Sequence, residues 1–279
     1  MKRTMCFQII PFFLVLSVIL PLPIFASQSN IQLSPPPIPW FEFDKGDKDL
    51  KVGGTIIYLT GDSTEGINGD IDVYGGGVNA FYRYAFRDIF AIDFGATTVG
   101  AYGNVGNDAD MSMWVLSVPV DLELQAVRND RFVLIFFGGF NFTWSYVGVD
   151  YDDGTDTAEF DIWTNMRGPQ GGVQLSFLLQ DFVLTPFIML QKLAGTASVD
   201  FYQNGSLVYS DDISISSPTA TLYGIDIVYQ PWNLTLSSLV QQVSSSSDNE
   251  GFTTYVFSIN YCFHWPASTG EPVEAEEIQ

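Results

Sequence analysis

Gly251–Trp265 reads GFTTYVFSINYCFHW, and its alternation decides the architecture. Tyr255, Phe257, Ile259, Tyr261, Phe263 and Trp265 fall on one parity, and Thr254, Ser258, Asn260, Cys262 and His264 on the other. Successive strand side chains point to opposite faces, so this is a ribbon with one aromatic face and one small, mostly polar face. It reads as the closing strand of a membrane-spanning β-barrel. The Pro- and Glu-containing stretch 266–279 follows as an acidic tail.

Upstream, the same alternation recurs in nine segments. They are Leu50–Thr60, Ile71–Phe86, Ile89–Tyr102, Ser112–Val127, Phe132–Val149, Ala158–Leu179, Phe182–Tyr202, Leu207–Gln230 and Leu234–Val243. Ser112–Val127 is the cleanest, with Trp114, Leu116, Val118, Val120, Leu122 and Leu124 opposite Ser117, Pro119, Asp121, Glu123 and Gln125. In Ala158–Leu179 the apolar parity changes from Phe160 and Ile162 to Val173, Leu175 and Phe177, which predicts a bulge near Gly168-Pro169. Asn204-Gly205 predicts a tight hairpin tip. The expectation is an all-β, antiparallel up-and-down transmembrane barrel of about ten strands. Twelve is the alternative if the hairpin around Asn204-Gly205 and Ala158–Met166 count as extra structure.

The ends set the address. Lys2 and Arg3, the apolar run Ile9–Leu22 and the small residue Ala26 describe a secretory signal peptide over 1–26. Pro11, Pro21 and Pro23 interrupt that run, which is shorter than the ~20 residues of a spanning helix. Residues 27–49 form a linker, extended at Pro35-Pro36-Pro37-Ile38-Pro39. Trp40, Phe41 and Phe43 then make an interfacial or loosely ordered lead-in, with a partial plug under the barrel as the alternative. The barrel is expected over 50–265.

Composition agrees. The chain is 47% hydrophobic and 15% aromatic but only 15% charged, against ~25% charged in a typical soluble domain. No later stretch offers ~18 unbroken apolar residues, so the apolar content is spread over strands. Signal cleavage removes two of the 11 basic residues and none of the 32 acidic ones, so a net charge of −21 becomes −23. That excludes nucleic acid as a partner, because phosphates need Lys and Arg. Cys262 would be the only cysteine left, so no internal disulfide forms.

A soluble barrel also alternates. Here the polar faces are Gly, Ser, Thr, Asn and Gln with little charge, which suits a narrow lumen better than a water-facing exterior. Aromatics cluster beside the short turns: Phe86, Phe90, Phe132, Phe177, Phe182, Tyr229, Trp232 and Trp265 form the expected interfacial girdle. Short turns alternate with long loops, and an even strand count puts both termini on the periplasmic side. In these features the chain resembles the bacterial outer-membrane β-barrel proteins of Gram-negative cells. Phe257-Ser-Ile-Asn-Tyr-Cys-Phe263 looks like their terminal-strand signal, although most of them stop on the aromatic residue. The resemblance implies outer-membrane lipid, lipopolysaccharide and the barrel-assembly machinery as partners. It implies no oligomeric state.

Arg83, Asp93, Asp121, Glu123 and Asp226 are expected in the lumen, as a charge network that braces the barrel and blocks flow. The long loops are acidic, with Asp150, Asp152, Asp153 and Asp156 crowding one of them. Hard oxygens suit Ca2+ or Mg2+, but Asp150–Asp156 matches a calcium loop poorly: its glycine comes early and Ile162 stands at the twelfth position. Omptin proteases are ten-stranded barrels that pair carboxylates with a histidine at the outer rim. Asp70-Ile-Asp72 resembles such a pair, but the single histidine, His264, lies at the other end, out of hydrogen-bond reach. The expectation is therefore a non-enzymatic barrel with a structural or surface-interaction role. The alternative is a narrow porin-like channel for small solutes or cations.

Overall fold

The computed structural model describes residues 42–61, 71–105, 109–152, 157–216, 219–244 and 251–267. Twelve strands carry the fold: β1 (Lys48–Gly61), β2 (Ile71–Arg87), β3 (Phe90–Val105), β4 (Ala109–Arg128), β5 (Phe132–Asp152), β6 (Thr157–Leu179), β7 (Phe182–Gln191), β8 (Ala194–Gln203), β9 (Ser206–Ser216), β10 (Ala220–Tyr229), β11 (Leu234–Ser244) and β12 (Gly251–Trp265). Ten of them close a ring in the order β1-β2-β3-β4-β5-β6-β7-β10-β11-β12, and β12 pairs back onto β1. The ring is the expected ten-stranded antiparallel barrel. β8 and β9 lie outside it.

The register gives the dimensions. Asp49 pairs with Arg83, Arg83 with Asp93, Asp93 with Asp121, Asp121 with Gly139, and Gly139 with Gln170. The path continues through Gln191, Ala220 and Val243 to Phe252. It started beside His264, so one circuit climbs twelve residues along β12. With strands about 4.8 Å apart and ~3.3 Å per residue, ten strands and a stagger of twelve give a tilt of about 40° and a backbone radius of about 10 Å. Each residue then rises about 2.5 Å along the barrel axis.

The two predicted long strands after the sixth, Phe182–Tyr202 and Leu207–Gln230, are each broken in two. Gln170 pairs with Gln191 and Arg167 with Ala194, so β8 continues the register of β7 along β6. Lys192 N donates to Pro169 O at 3.1 Å across the break. β8 and β9 form the tall hairpin, tipped at Asn204 and Gly205, both with positive φ. The predicted bulge at Gly168-Pro169 is absent. β5 and β6 pair without a register shift from Asp152–Thr157 to Phe132–Phe177. Even residues of β6 face inward throughout, from Phe160, Ile162 and Met166 to Gln174 and Ser176. What changes is the surroundings: the strand carries apolar residues inward at one end and outward at the other.

That change marks where the barrel leaves the membrane. At the short-turn end, the outward residues are apolar and aromatic rings pack against one another. Phe86–Phe90 centroids lie 6.2 Å apart, Phe182–Tyr229 5.0 Å, Tyr229–Trp232 5.4 Å and Phe263–Trp265 5.9 Å. Phe132 and Phe177 pair directly between β5 and β6. A second girdle, not foreseen, lies toward the long-loop end. Tyr58 stacks on Tyr74 at 4.6 Å and lies 6.1 Å from Tyr255; Tyr146 meets Trp163 at 4.6 Å; Trp114 Nε1 donates to Thr98 at 3.0 Å. Ten residues of β12 separate Trp265 from Tyr255, about 25 Å along the axis, which is the thickness of an outer-membrane apolar band.

Candidate functional site in the barrel lumen

The interior has three storeys. The lowest is a lid made by residues 42–47 across the short-turn end. Phe43 is buried with Ala85, Ala91, Val133 and Ile135. Its N–H donates to Gln125 Oε1 at 3.2 Å, and Gln125 Nε2 donates to Phe43 O at 3.3 Å and Asp88 O at 3.0 Å. Gly46 N donates to Ala85 O at 2.6 Å, and Ala85 N to Asp47 O at 3.0 Å. Arg128 clamps the outside of the lid through Glu42 at 2.7 Å and Asp44 at 2.6 Å. Ala267 N, just after β12, donates to Asp47 Oδ1 at 2.8 Å. Phe43 therefore takes the plug position and not the interfacial one.

Above the lid sits the charged storey. Arg83, Asp93, Asp121, Glu123 and Asp226 are all buried and face inward. Arg83 binds Asp49 at 2.7 Å and Glu123 at 3.4 Å, and its guanidinium stands 5.1 Å over the Phe43 ring. Asp93 lies next to Arg83 in the register. Asp121 accepts from Gln170 at 2.6 Å, and Gln191 donates to Gln170 at 3.2 Å. Asp226 is fully buried on β10, opposite Ser237 in the register. Three further groups join this storey, of which Asp49 was not foreseen. Asp49 falls in the stretch read as linker, Lys51 lies near the start of β1, and His264 sits at the barrel end with Nδ1 2.6 Å from Asp49 Oδ1. Strand parity flags Lys51 on β1, but Asp49 and His264 meet only because β1 pairs with β12.

The third storey is apolar. Ile57, Val99, Met113, Val115, Val147, Ile162, Met166, Met189, Leu222, Leu239 and Val256 are buried in one cluster that fills the interior toward the long-loop end. Val199, Phe201 and Ile215 from β8 and β9 belong to the same cluster.

Of the proposed metal ligands, Asp150 and Asp152 end β5 and are exposed, while Asp153 and Asp156 lie outside the described residues. No group of three or more metal-capable side chains comes together among the described residues. Asp70 lies outside them too; Asp72 is exposed on β2 and accepts from Tyr58 at 2.8 Å.

Closed ring, 40° tilt, inverted belt and two girdles define a multi-pass transmembrane barrel of the outer-membrane class. No protein-family profile matches the chain, and neither does any curated protein sequence. Solved structures do. The outer membrane protease OmpT from Escherichia coli aligns with a TM-score of 0.52 at 10% identity, covering 84% of this chain and 99% of its own. The translocator domain of the autotransporter NalP from Neisseria meningitidis aligns with a TM-score of 0.50 at 11% identity, covering 77% of this chain and 88% of its own.

The OmpT match corrects one expectation. The sequence reading excluded an enzyme from the distance between Asp70-Ile-Asp72 and His264. A protease is built on this same barrel shape in OmpT, so the exclusion does not stand. At 10% identity the likeness fixes the fold, not the chemistry, which depends on side chains and not on the frame. The structure also pairs His264 with a carboxylate that the sequence reading had not considered, Asp49.

Proposed function

We propose that the protein is a closed outer-membrane barrel whose working surface is the tall extracellular sheet of β4, β5, β6, β8 and β9. The sealed lumen carries this reading: the Phe43 lid, the Arg83–Asp49–Glu123 network and the apolar storey block it in series. The short-turn end, with Lys48 and Trp265, faces the periplasm on this reading. The sheet rises on the opposite side, where it is out of lipid and free to meet surface partners or lipopolysaccharide. Its outward carboxylates, Asp110, Asp150, Glu159, Asp161 and Asp212, give that surface a negative field. Divalent cations would meet it as loosely held counter-ions.

Single-channel recording of the refolded chain in a planar bilayer, with and without calcium, tests the proposal. The expected trace is silent, with folding verified by heat-modifiable gel mobility. Discrete steps in the unaltered protein would replace this reading with the narrow channel for small solutes. Phe43→Ala removes only the lid and is also expected to stay silent, because the apolar storey remains.

A further inference from the structure

The basic residues are spread unevenly, and two of them stand apart. Nine of the 11 Lys and Arg residues lie beyond residue 26. Seven of these belong to the lid, the charged storey, the low end of β1 or the short turns. The other two, Arg167 on β6 and Lys192 in the break between β7 and β8, sit at the opposite end of the belt. Arg167 is ten residues from the girdle ring Phe177 along β6, and Lys192 is ten from Phe182, just past the end of β7. At about 2.5 Å of rise per residue, both stand about 25 Å above the lower girdle. That is the level of the second girdle, where the apolar band ends and headgroups begin.

The fold sets these two cations side by side on the outer surface. Both are exposed. Lys192 N donates to Pro169 O at 3.1 Å, and Ala194 pairs with Arg167, so the two side chains are diagonal neighbours on one face of the sheet. Such neighbours are roughly 7–8 Å apart, within reach of long side chains. Gly168 permits the close approach, since a Cβ there would collide with Lys192 O. The register places Phe142 opposite Arg167 and Trp144 opposite Asn165, so the flank is aromatic. The nearest outward carboxylate on β6 is Asp161, six residues higher, where it accepts from the Tyr146 hydroxyl. The chain holds 32 acidic residues, yet Arg167 and Lys192 form no ion pair among the described residues.

Two like charges held together repel, and at this level the counter-charge at hand is the lipid headgroup. Arginine offers a planar fork that takes two phosphate oxygens, and lysine a mobile point charge. A phosphomonoester carries a charge of about −1.5 to −2 at neutral pH, which matches the pair, whereas a phosphodiester carries a single charge. We propose that Arg167 and Lys192 form a lipid-facing clamp for the phosphomonoester headgroup of an outer-leaflet lipid. The acyl chains of that lipid then run down the apolar outward face below, past Pro169 and its partner Phe140. The clamp rests on the orientation proposed above, in which the long-loop end is extracellular.

The test uses the full chain refolded in detergent, with folding verified by gel mobility and lipid binding read by native mass spectrometry. The probes are bisphosphorylated lipid A, the same lipid with both phosphates removed, and phosphatidylglycerol, with inorganic phosphate in large excess as competitor. Bisphosphorylated lipid A is expected to bind at least tenfold more tightly than the other two lipids and to resist displacement by inorganic phosphate. Arg167→Gln and Lys192→Gln should each weaken it at least threefold and together at least tenfold. Arg131→Gln, an exposed cation at the short-turn end, should leave it unchanged. Should the double variant fail to fold, the two single variants decide. Equal binding of either other lipid, or unaltered affinity in the variants, would overturn the clamp and leave two ordinary interfacial anchors. Displacement by inorganic phosphate would overturn the lipid as its occupant. Binding in detergent does not depend on which way the barrel faces. Orientation is read separately, by treating intact cells that carry Asp130→Cys with a membrane-impermeant maleimide; the native Cys262 is buried. No labelling is expected, and labelling would overturn the outer-leaflet placement.

Discussion

Strand β6 passes through two solvents, and its two halves obey opposite rules. From Val173 to Phe177 the odd, outward residues are apolar and the inward Gln174 and Ser176 are polar. From Phe160 to Met166 the inward residues are apolar, and Glu159 and Asp161 face out. β1 and β4 do the same: Lys51 and Glu123 face inward low down, Ile57 and Met113 higher up. The backbone is continuous across the change. A strand inside the membrane must offer lipid an apolar face; the same strand beyond the membrane must hide its apolar face from water. The barrel is thus inside-out for about 25 Å and ordinary above it.

Four measurements strain that contrast, and the largest effect is expected at its charged centre. Arg83→Met leaves Asp49 and Glu123 buried without their cation, and breaking such a pair costs roughly 3–5 kcal/mol. Denaturant unfolding in detergent should register it, and Asp49→Asn with Glu123→Gln in the same chain should restore much of the loss. Recovery of nothing would mean that the network does not brace the barrel.

Next comes the apolar storey. Ile162→Ala deletes a fully buried side chain, and such changes cost about 2–5 kcal/mol. A cost near zero would mean the cluster is loosely filled, and the claim of a sealed lumen would fail with it.

The outward face gives the sharpest pairwise comparison. Phe140 lies within the belt and is 56% exposed; Val208 lies in the tall hairpin and is 50% exposed. Phe140→Arg should cost roughly 2–4 kcal/mol in a lipid bilayer, whereas Val208→Arg should stay within about 0.5 kcal/mol. Equal costs would erase the membrane boundary drawn between them.

The smallest effect is electrostatic. Partial burial, then the charges of Asp161 and Asp150, raise the Glu159 carboxyl above its usual value of 4.5. The folded state therefore holds this proton more tightly than the unfolded state. The stability it contributes is full below the usual value and is lost as pH rises through the higher folded value. Glu159→Gln should flatten that part of the thermal unfolding profile between acid and neutral pH. An unchanged profile would assign the slope to other carboxylates of the sheet.

Much of this was legible in advance. Alternation in Gly251–Trp265 and Ser112–Val127, and the short turns at Arg87-Asp88 and Arg128-Asn129-Asp130, were enough for a ten-strand ring. Asn204-Gly205 announced the hairpin tip. The parity change in β6 was visible too, but was read as a bulge, since a strand pattern reports which face is apolar and not which solvent that face meets. The second girdle was passed over for a related reason: Tyr58, Tyr74 and Tyr255 come from distant segments and form a band only once β1 pairs with β2 and β12.

The sequence by itself determined the class of the protein: a chain with period-2 apolar faces, sparse charge and no apolar helix can satisfy its backbone in lipid only by closing a barrel. Tertiary structure alone decided what the lumen does. Arg83 meets Asp49 and Glu123 across 34 and 40 residues of chain, Phe43 meets Gln125 across 82, and His264 meets Asp49 across 215. Whether buried charges are clamped together, as Arg83, Asp49 and Glu123 are, depends on stagger and tilt. Those are properties of the closed ring as a whole, which no single strand encodes.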